Sequence, residues 1–232
     1  MIPTYSTALI VGAGPGLGSS LAHRFSREGL SVALAARDPG KLTPLAQQIH
    51  ARTFAADAAN ADDIVRLFRE VEEAVGAPDI VVYNASGRVR GPFTELDPAT
   101  VQQALMVSAY GGFLVAQEAV RRMLPKKRGA ILFTGASASV KGYARSAPFA
   151  MGKFALRGLA QSLARELHPQ GIHIGHFVID GAIRTSARPD PTDRPDSALD
   201  PDAIAEAYWN LLCQDRSTWT WEVELRPWVE TF

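Results

Sequence analysis

The segment Thr7-Ala-Leu-Ile-Val-Gly-Ala-Gly-Pro-Gly-Leu-Gly18 joins an uninterrupted apolar run to four alternating glycines. Apolar residues without polar alternation over Thr7–Val11 predict a strand covered on both faces. From Leu17 a helical spacing of apolar residues runs to Glu28. The strict G-x-G-x-x-G spacing fails, because Leu17 and Ser19 fall where its third glycine would be. The spacing G-x-x-x-G-x-G, through Gly12, Gly16 and Gly18, fits. The physics is the same in both: a tight turn, a backbone that lets a pyrophosphate come close, and a helix N-terminus aimed at the anion. An ordinary glycine turn is the plain alternative.

The strand-then-helix pattern repeats along the chain. Strands are expected at Thr7–Val11, Ser31–Ala35, Arg52–Ala55, Ile80–Tyr83, Ala130–Phe133, His173–Ile179 and Glu222–Leu225. Helices are expected at Leu17–Glu28, Pro39–Ile49, Ala61–Val75, Pro98–Leu124, Phe149–Leu167 and Pro201–Leu212. Strands joined by helical crossovers imply an α/β fold, a doubly wound parallel sheet of about seven strands with helices on both faces. No repeat or linker divides residues 1–232, so a single domain is expected. The irregular stretch is Thr185–Pro201, which holds four prolines in all, with five charged residues within Arg188–Asp196. It follows the sixth strand, and ligands of such sheets bind beyond the carboxyl ends of the strands. It therefore reads as a substrate-side loop or lid, with a passive surface loop as the alternative.

Composition narrows the function. Lys and Arg number 24 against 24 Asp and Glu, giving zero formal net charge over 232 residues. That argues against nucleic-acid binding through a broad positive field. The basic cluster Arg121, Arg122, Lys126, Lys127 and Arg128 sits at an expected helix end, where cations are favoured anyway. No run reaches the roughly 18 apolar residues of a membrane span. A lone Cys213 excludes an intrachain disulfide and any zinc site built on cysteines. A soluble cytoplasmic protein without a targeting segment is the expectation. The five histidines show no metal-ligand spacing, and His173 and His176, three apart on a strand, should face opposite sides.

With these residues assembled, the chain resembles the short-chain dehydrogenase/reductase family over nearly all of its length. The resemblance implies a Rossmann fold and a nucleotide turn built from Gly12, Gly16, Leu17 and Gly18. The family's Asp after the third strand is matched by Asp57, followed by Ala58, which would meet the adenine. Its Asn-Asn-Ala-Gly stretch stands here as Tyr83-Asn84-Ala85-Ser86, placing Asn84 and Ala85 at the cofactor. Its Pro-Gly turn stands as Asp180-Gly181, with Thr185 where the family contacts the nicotinamide amide. Trp219–Phe232 departs from the family's glycine-rich close. Members that prefer NAD carry an acidic residue at the end of the second strand. Here Ala36 and Arg37 stand there, and an Arg can pair a 2′-phosphate, which favours NADP over NAD. Asp38 competes for that charge.

The catalytic set is where the resemblance breaks. The family's Tyr-x-x-x-Lys puts a proton-transferring phenol one helical turn from a lysine that lowers its pKa and holds the ribose. Lys153 matches the lysine, but Phe149 stands at the tyrosine. Ala136 stands at the substrate-orienting serine, with Ser137 beside it, and Ser108 at the relay asparagine. A phenyl ring cannot ionise, and general acid/base catalysis is worth about 10²–10⁴-fold. Ser137, Tyr143 and Asp180 are the candidate substitutes, each with a plain structural reading as well. Tyr143 shares the site only if its loop folds back.

Two functions follow. One is an NADP-dependent oxidoreductase acting on a small carbonyl, alcohol or activated alkene with altered proton delivery. The other is a catalytically inactive NADP(H)-binding regulator, sensor or scaffold. The resemblance also implies a homodimer or homotetramer, packed through the small residues Gly111, Gly112, Gly152 and Gly158. Trp219, Trp221 and Trp228 cover either a subunit contact or the sheet edge.

Overall fold

Strands β1 (Thr7–Val11), β2 (Ser31–Ala36), β3 (Arg52–Ala55), β4 (Ile80–Tyr83), β5 (Gly129–Thr134), β6 (Ile172–Ile179) and β7 (Glu222–Leu225) form one sheet in the order β3-β2-β1-β4-β5-β6-β7. Every neighbouring pair is parallel. The computed structural model describes residues 5–185 and 188–230. Helices α1 (Leu17–Arg27), α2 (Thr43–Ile49), α3 (Ala61–Val75), α4 (Pro98–Leu105), α5 (Gly111–Met123), α6 (Ala147–Leu167) and α7 (Pro201–Leu212) cover the two faces.

Why the strands read as continuous apolar runs is visible in the core. Leu9 and Val11 of β1 join Val81, Tyr83, Ile131 and Phe133 under α3, α5 and α6. Ala8 and Ile10 join Ile80, Val82 and Leu132 under α1 and α7. Successive side chains of a strand point to opposite faces, and both faces here are roofed by helices. At the carboxyl end of β1, Val11 pairs with Ala35 on one side and Tyr83 on the other. The chain winds away from β1 in both directions, so a crevice opens above β1 and β4.

Two expected helices are broken. Residues Pro39–Leu42 form a tight 3-10 turn, with Gly40 N–H bonded to Asp38, before α2 begins. The long helix expected over Pro98–Leu124 widens to π geometry over Met106–Tyr110 between α4 and α5. The Tyr83 hydroxyl donates to the Val107 carbonyl inside that widened turn. A bond from another element is one way such a bulge is held.

Three of the four small residues expected at a subunit contact pack closely within the chain. A Cβ on Gly112 would lie 2.6 Å from Leu156, one on Gly152 2.7 Å from Ser108, and one on Gly111 2.5 Å from the Ala58 carbonyl. These three glycines are used for close packing within the chain, and of the four only Gly158 faces open space. The basic cluster is largely neutralised: Arg122 meets Glu118 at 2.7 Å and Glu72 at 3.1 Å, and Arg128 meets Asp79 at 3.1 Å. Trp219 stacks on His173 at the sheet edge and Trp221 lies under Arg157, whereas Trp228 is exposed. Among the described residues no helix is long and apolar enough to cross a membrane.

Candidate functional site

Two clefts adjoin above the carboxyl ends of the strands, with Asn84 and Ser86 in the walls of both. The first encloses about 590 Å³ and is floored by Gly12, Ala13, Gly14 and Pro15 of the glycine turn. Gly12 has φ +84°, and a Cβ there would fall 2.5 Å from Ala85 Cα. That position excludes any side chain. Gly16 takes φ +88° and begins α1 with no side-chain cap and no acid in the first turn. The helix therefore presents unclaimed N–H groups with the favourable end of its dipole. Leu17 is buried and Gly18 lets α1 pack close to Ala13, so both stand behind the cleft rather than in its wall.

The other residues expected at a cofactor surround this floor. Asn84 donates from Nδ2 to the Gly12 carbonyl at 2.9 Å, tying β4 to the turn. Asp57 and Ala58 line the cleft, and the Asp57 carboxylate accepts the Ala59 N–H at 2.9 Å. Arg37 also lines the cleft and is exposed. Asp38, expected to compete for its charge, instead takes Gly40 N–H and Lys41 at 3.3 Å. Thr185 approaches the turn from β6, its Cγ2 3.7 Å from where a Cβ on Gly16 would stand. A turn kept open at Gly12 and Gly16, an uncapped helix start and an exposed guanidinium fit a dinucleotide phosphate.

The second cleft encloses about 670 Å³ and holds Lys153, Phe149, Ser137, Tyr143, Asp180 and Gly181 in its wall. Lys153 is buried, and its Nζ donates to the Thr134 carbonyl at 2.7 Å. Burial, helped by the charge of Arg88, lowers its pKa to about 8. Phe149 lies one turn earlier on α6, its ring centroid 5.9 Å from Lys153 Nζ. The Arg88 guanidinium sits over the same ring at 4.8 Å. The phenyl ring thus has two cations within reach of its centroid, a favourable contact for the negative ring face.

The candidate substitutes fare differently. The loop carrying Tyr143 does fold back, and this exposed phenol shares the cleft with Lys153. Ser137 opens the short turn after β5 and borders the cleft. Asp180 is buried and bound to Lys141 at 3.0 Å and Arg226 at 3.4 Å, which leaves it a structural anion rather than a free base. Ser108 is buried in the widened turn and exchanges hydrogen bonds with Gly87, accepting at 2.9 Å and donating at 3.2 Å. It lines neither cleft.

The stretch after Gly181 is anchored by Arg184, which meets Asp190 at 3.0 Å and also Asp200 at the start of α7. Residues 186 and 187 of the expected lid lie outside the described residues. His173 and His176 do face opposite sides, toward Trp219 and Glu222 respectively. Among the described residues no group of three or more His, Cys, Asp or Glu could hold a metal ion.

Sequence reading passed over Arg88, Arg90 and Arg188, which all line the second cleft. The available signal was Gly87-Arg-Val-Arg90 just after the Asn84 stretch, two cations with no acid between them. Alternating arginines on a loop are too common to mark a site. The Ser139–His176–Glu222 array was also unforeseen. His176 Nδ1 lies 3.0 Å from Glu222 and Nε2 3.3 Å from Ser139 Oγ. Ser139 is wholly buried and faces neither cleft, so the array braces the turn carrying Ser137 and offers no nucleophile.

Comparison with known proteins gives a concordant picture. The family model described as short chain dehydrogenase matches residues 6–194. A crystal structure of a short-chain dehydrogenase from Rhodopseudomonas palustris is 34% identical, covers 97% of this chain and 100% of that one, and superposes with a TM-score of 0.83. A metagenomic short-chain oxidoreductase in complex with NADP is 26% identical, with 97% and 98% covered and a TM-score of 0.83. The cyclic-di-GMP-binding biofilm dispersal mediator protein of Escherichia coli is 33% identical over 193 residues, 80% of this chain and 76% of that protein.

Proposed function

Since this chain belongs to the short-chain dehydrogenase family, we propose that it is an NADP(H)-dependent oxidoreductase of the cytoplasm. It moves a hydride to or from a small carbonyl, alcohol or activated alkene, with a proton route that bypasses position 149. One observation carries this reading. Lys153 is buried in the wall of the second cleft, which adjoins the phosphate-fitting one, with its ammonium pKa brought down to about 8.

When bound, the nicotinamide cofactor supplies the hydride. The chain's own residues do the remaining work. The glycine turn and the start of α1 hold the pyrophosphate, and Arg37 takes the 2′-phosphate. Asn84 keeps the turn in place through the Gly12 carbonyl. In the reducing direction the substrate oxygen gains negative charge. Lys153 and Arg88, both close to the Phe149 ring, stabilise that charge in a partly desolvated site. One proton must then reach the oxygen. Lys153 supplies it, directly or through Ser137 and water, because its pKa lies close to the operating pH that acid catalysis favours. Residues 1–232 act as one domain, and copies pair through the exposed apolar side chains Tyr110, Phe113, Met151 and Phe154.

The second reading is an NADP(H)-binding protein without turnover. Phe149 favours it: a buried ring with nothing to ionise stands beside Lys153. The Escherichia coli relative carries the name of a nucleotide-binding mediator, in line with a binding role. Carbonyls, enones and quinones incubated with NADPH, for wild type and Phe149→Tyr, separate the two. Turnover by the wild type supports the enzyme. Inertness despite measured NADPH binding, with activity created by Phe149→Tyr, overturns it in favour of the second reading.

A further inference from the structure

The second cleft carries more positive charge than the chemistry above requires, because Arg90 and Arg188 join Arg88 and Lys153 in its wall. Arg88 and Arg90 enter its wall from the loop after β4, and Arg188 enters from the segment between β6 and α7. All three are exposed, and none has an ion pair or side-chain hydrogen bond among the described residues. Arg88 is held in place over the Phe149 ring at 4.8 Å. It is near enough to Arg90 and Arg188 for their charges, after partial desolvation, to lower its pKa.

The carboxylates at the same cleft do not balance this charge. Asp180 is already committed to Lys141 and Arg226. Among the described residues Glu230 alone stands against three guanidinium groups and Lys153. Like charges gathered in one cavity are unfavourable until an anion joins them. Guanidinium groups match carboxylate and phosphate oxygens through planar, bidentate hydrogen bonds.

We propose that the substrate of this cleft carries an oxyanion, a carboxylate or a phosphate, bound by Arg88, Arg90 and Arg188. The term substrate rests on the oxidoreductase reading; the oxyanion site does not. The reacting carbonyl would then lie toward Ser137 and Lys153, with Arg88 between the two ends. Neutral carbonyl compounds would bind weakly because they leave the arginines uncompensated.

Calorimetric titration tests the site without any need for turnover. Benzoate, phenyl phosphate and neutral benzamide are titrated into the full chain preloaded with NADPH, and the benzoate and phenyl phosphate arms distinguish carboxylate from phosphate. At least one anion should bind at least about ten-fold more tightly than benzamide, the scale of a charged hydrogen bond. The double variant Arg90→Gln/Arg188→Gln, both changes at exposed positions, should erase that preference. Equal binding of all three probes overturns the proposal, and so does an anion preference that survives in the double variant. A loss that appears instead in NADPH affinity also overturns it, by assigning the arginines to the cofactor.

A kinetic arm uses 4-carboxybenzaldehyde against methyl 4-formylbenzoate, two aldehydes of similar reactivity and different charge. A KM at least about ten-fold lower for the acid, lost in the double variant, supports the proposal. Selective anion binding without reduction of any aldehyde would remove the oxidoreductase reading and leave the oxyanion site standing. Reduction of both aldehydes with equal KM would do the reverse.

Discussion

Replacing His176 with Gln should flatten the acid side of the stability profile. His176 is fully buried on β6, between Ser139 and Glu222. Burial outweighs the pull of Glu222 and brings its pKa down to about 4. In the unfolded chain a histidine titrates near ~6.5. Between those two values the unfolded chain binds a proton that the folded one refuses. Stability therefore rises with pH across that window, is fully present above about 6.5, and is lost on acidification toward 4. Integrating the linkage relation from pH ~7.5 down to ~4.5 gives a loss of about 2.5 kcal/mol from this one residue. His173, whose pKa burial also brings to about 4, adds a similar share in both proteins. Urea denaturation at the two pH values, for wild type and His176→Gln, measures the difference. The variant should start less stable at the higher pH and lose about 2.5 kcal/mol less on acidification. An equal loss in both proteins would refute the assignment of a neutral, proton-refusing His176. Activity should follow the same titration, because His176 meets Ser139 Oγ, which in turn accepts the Ala136 N–H of the turn holding Ser137.

Two further substitutions probe the first cleft. Gly12→Ala forces a Cβ to within 2.5 Å of Ala85 Cα at φ +84°; thermal melts with and without NADPH should show a destabilised chain with no cofactor-induced shift. Backbone strain alone at such a position costs about 1–3 kcal/mol, and the clash adds to it. Arg37→Gln should reduce the preference for NADPH over NADH by about 10–100-fold, the value of a charge-assisted contact of roughly 1.5–3 kcal/mol. Fluorescence titration with both cofactors reads this directly, and an unchanged ratio would place the 2′-phosphate elsewhere.

Much of the architecture was written in local pattern. Strands such as β1 and β4 end where their apolar runs end, because burial on both faces leaves little room for a polar residue within them. The glycine turn was legible for the same reason that it works, since positive φ and close approach both exclude side chains. Three things were hidden. The widened turn at Met106–Tyr110 depends on a bond from Tyr83 on another element, which apolar periodicity does not encode. Gly111, Gly112 and Gly152 announced close packing without saying against what, and the answer was the chain's own Ala58, Leu156 and Ser108. Arg88 acquires its meaning only when a loop some sixty residues from Phe149 folds over that ring.

Asn84 has a consequence of a different kind. Its amide is tied to Gly12, and the residue lines both clefts. A partition shared by two chambers cannot be moved for one occupant alone. The two halves of the site are mechanically one variable at this residue, and no substitution there can reset affinity on one side while leaving the other as it was.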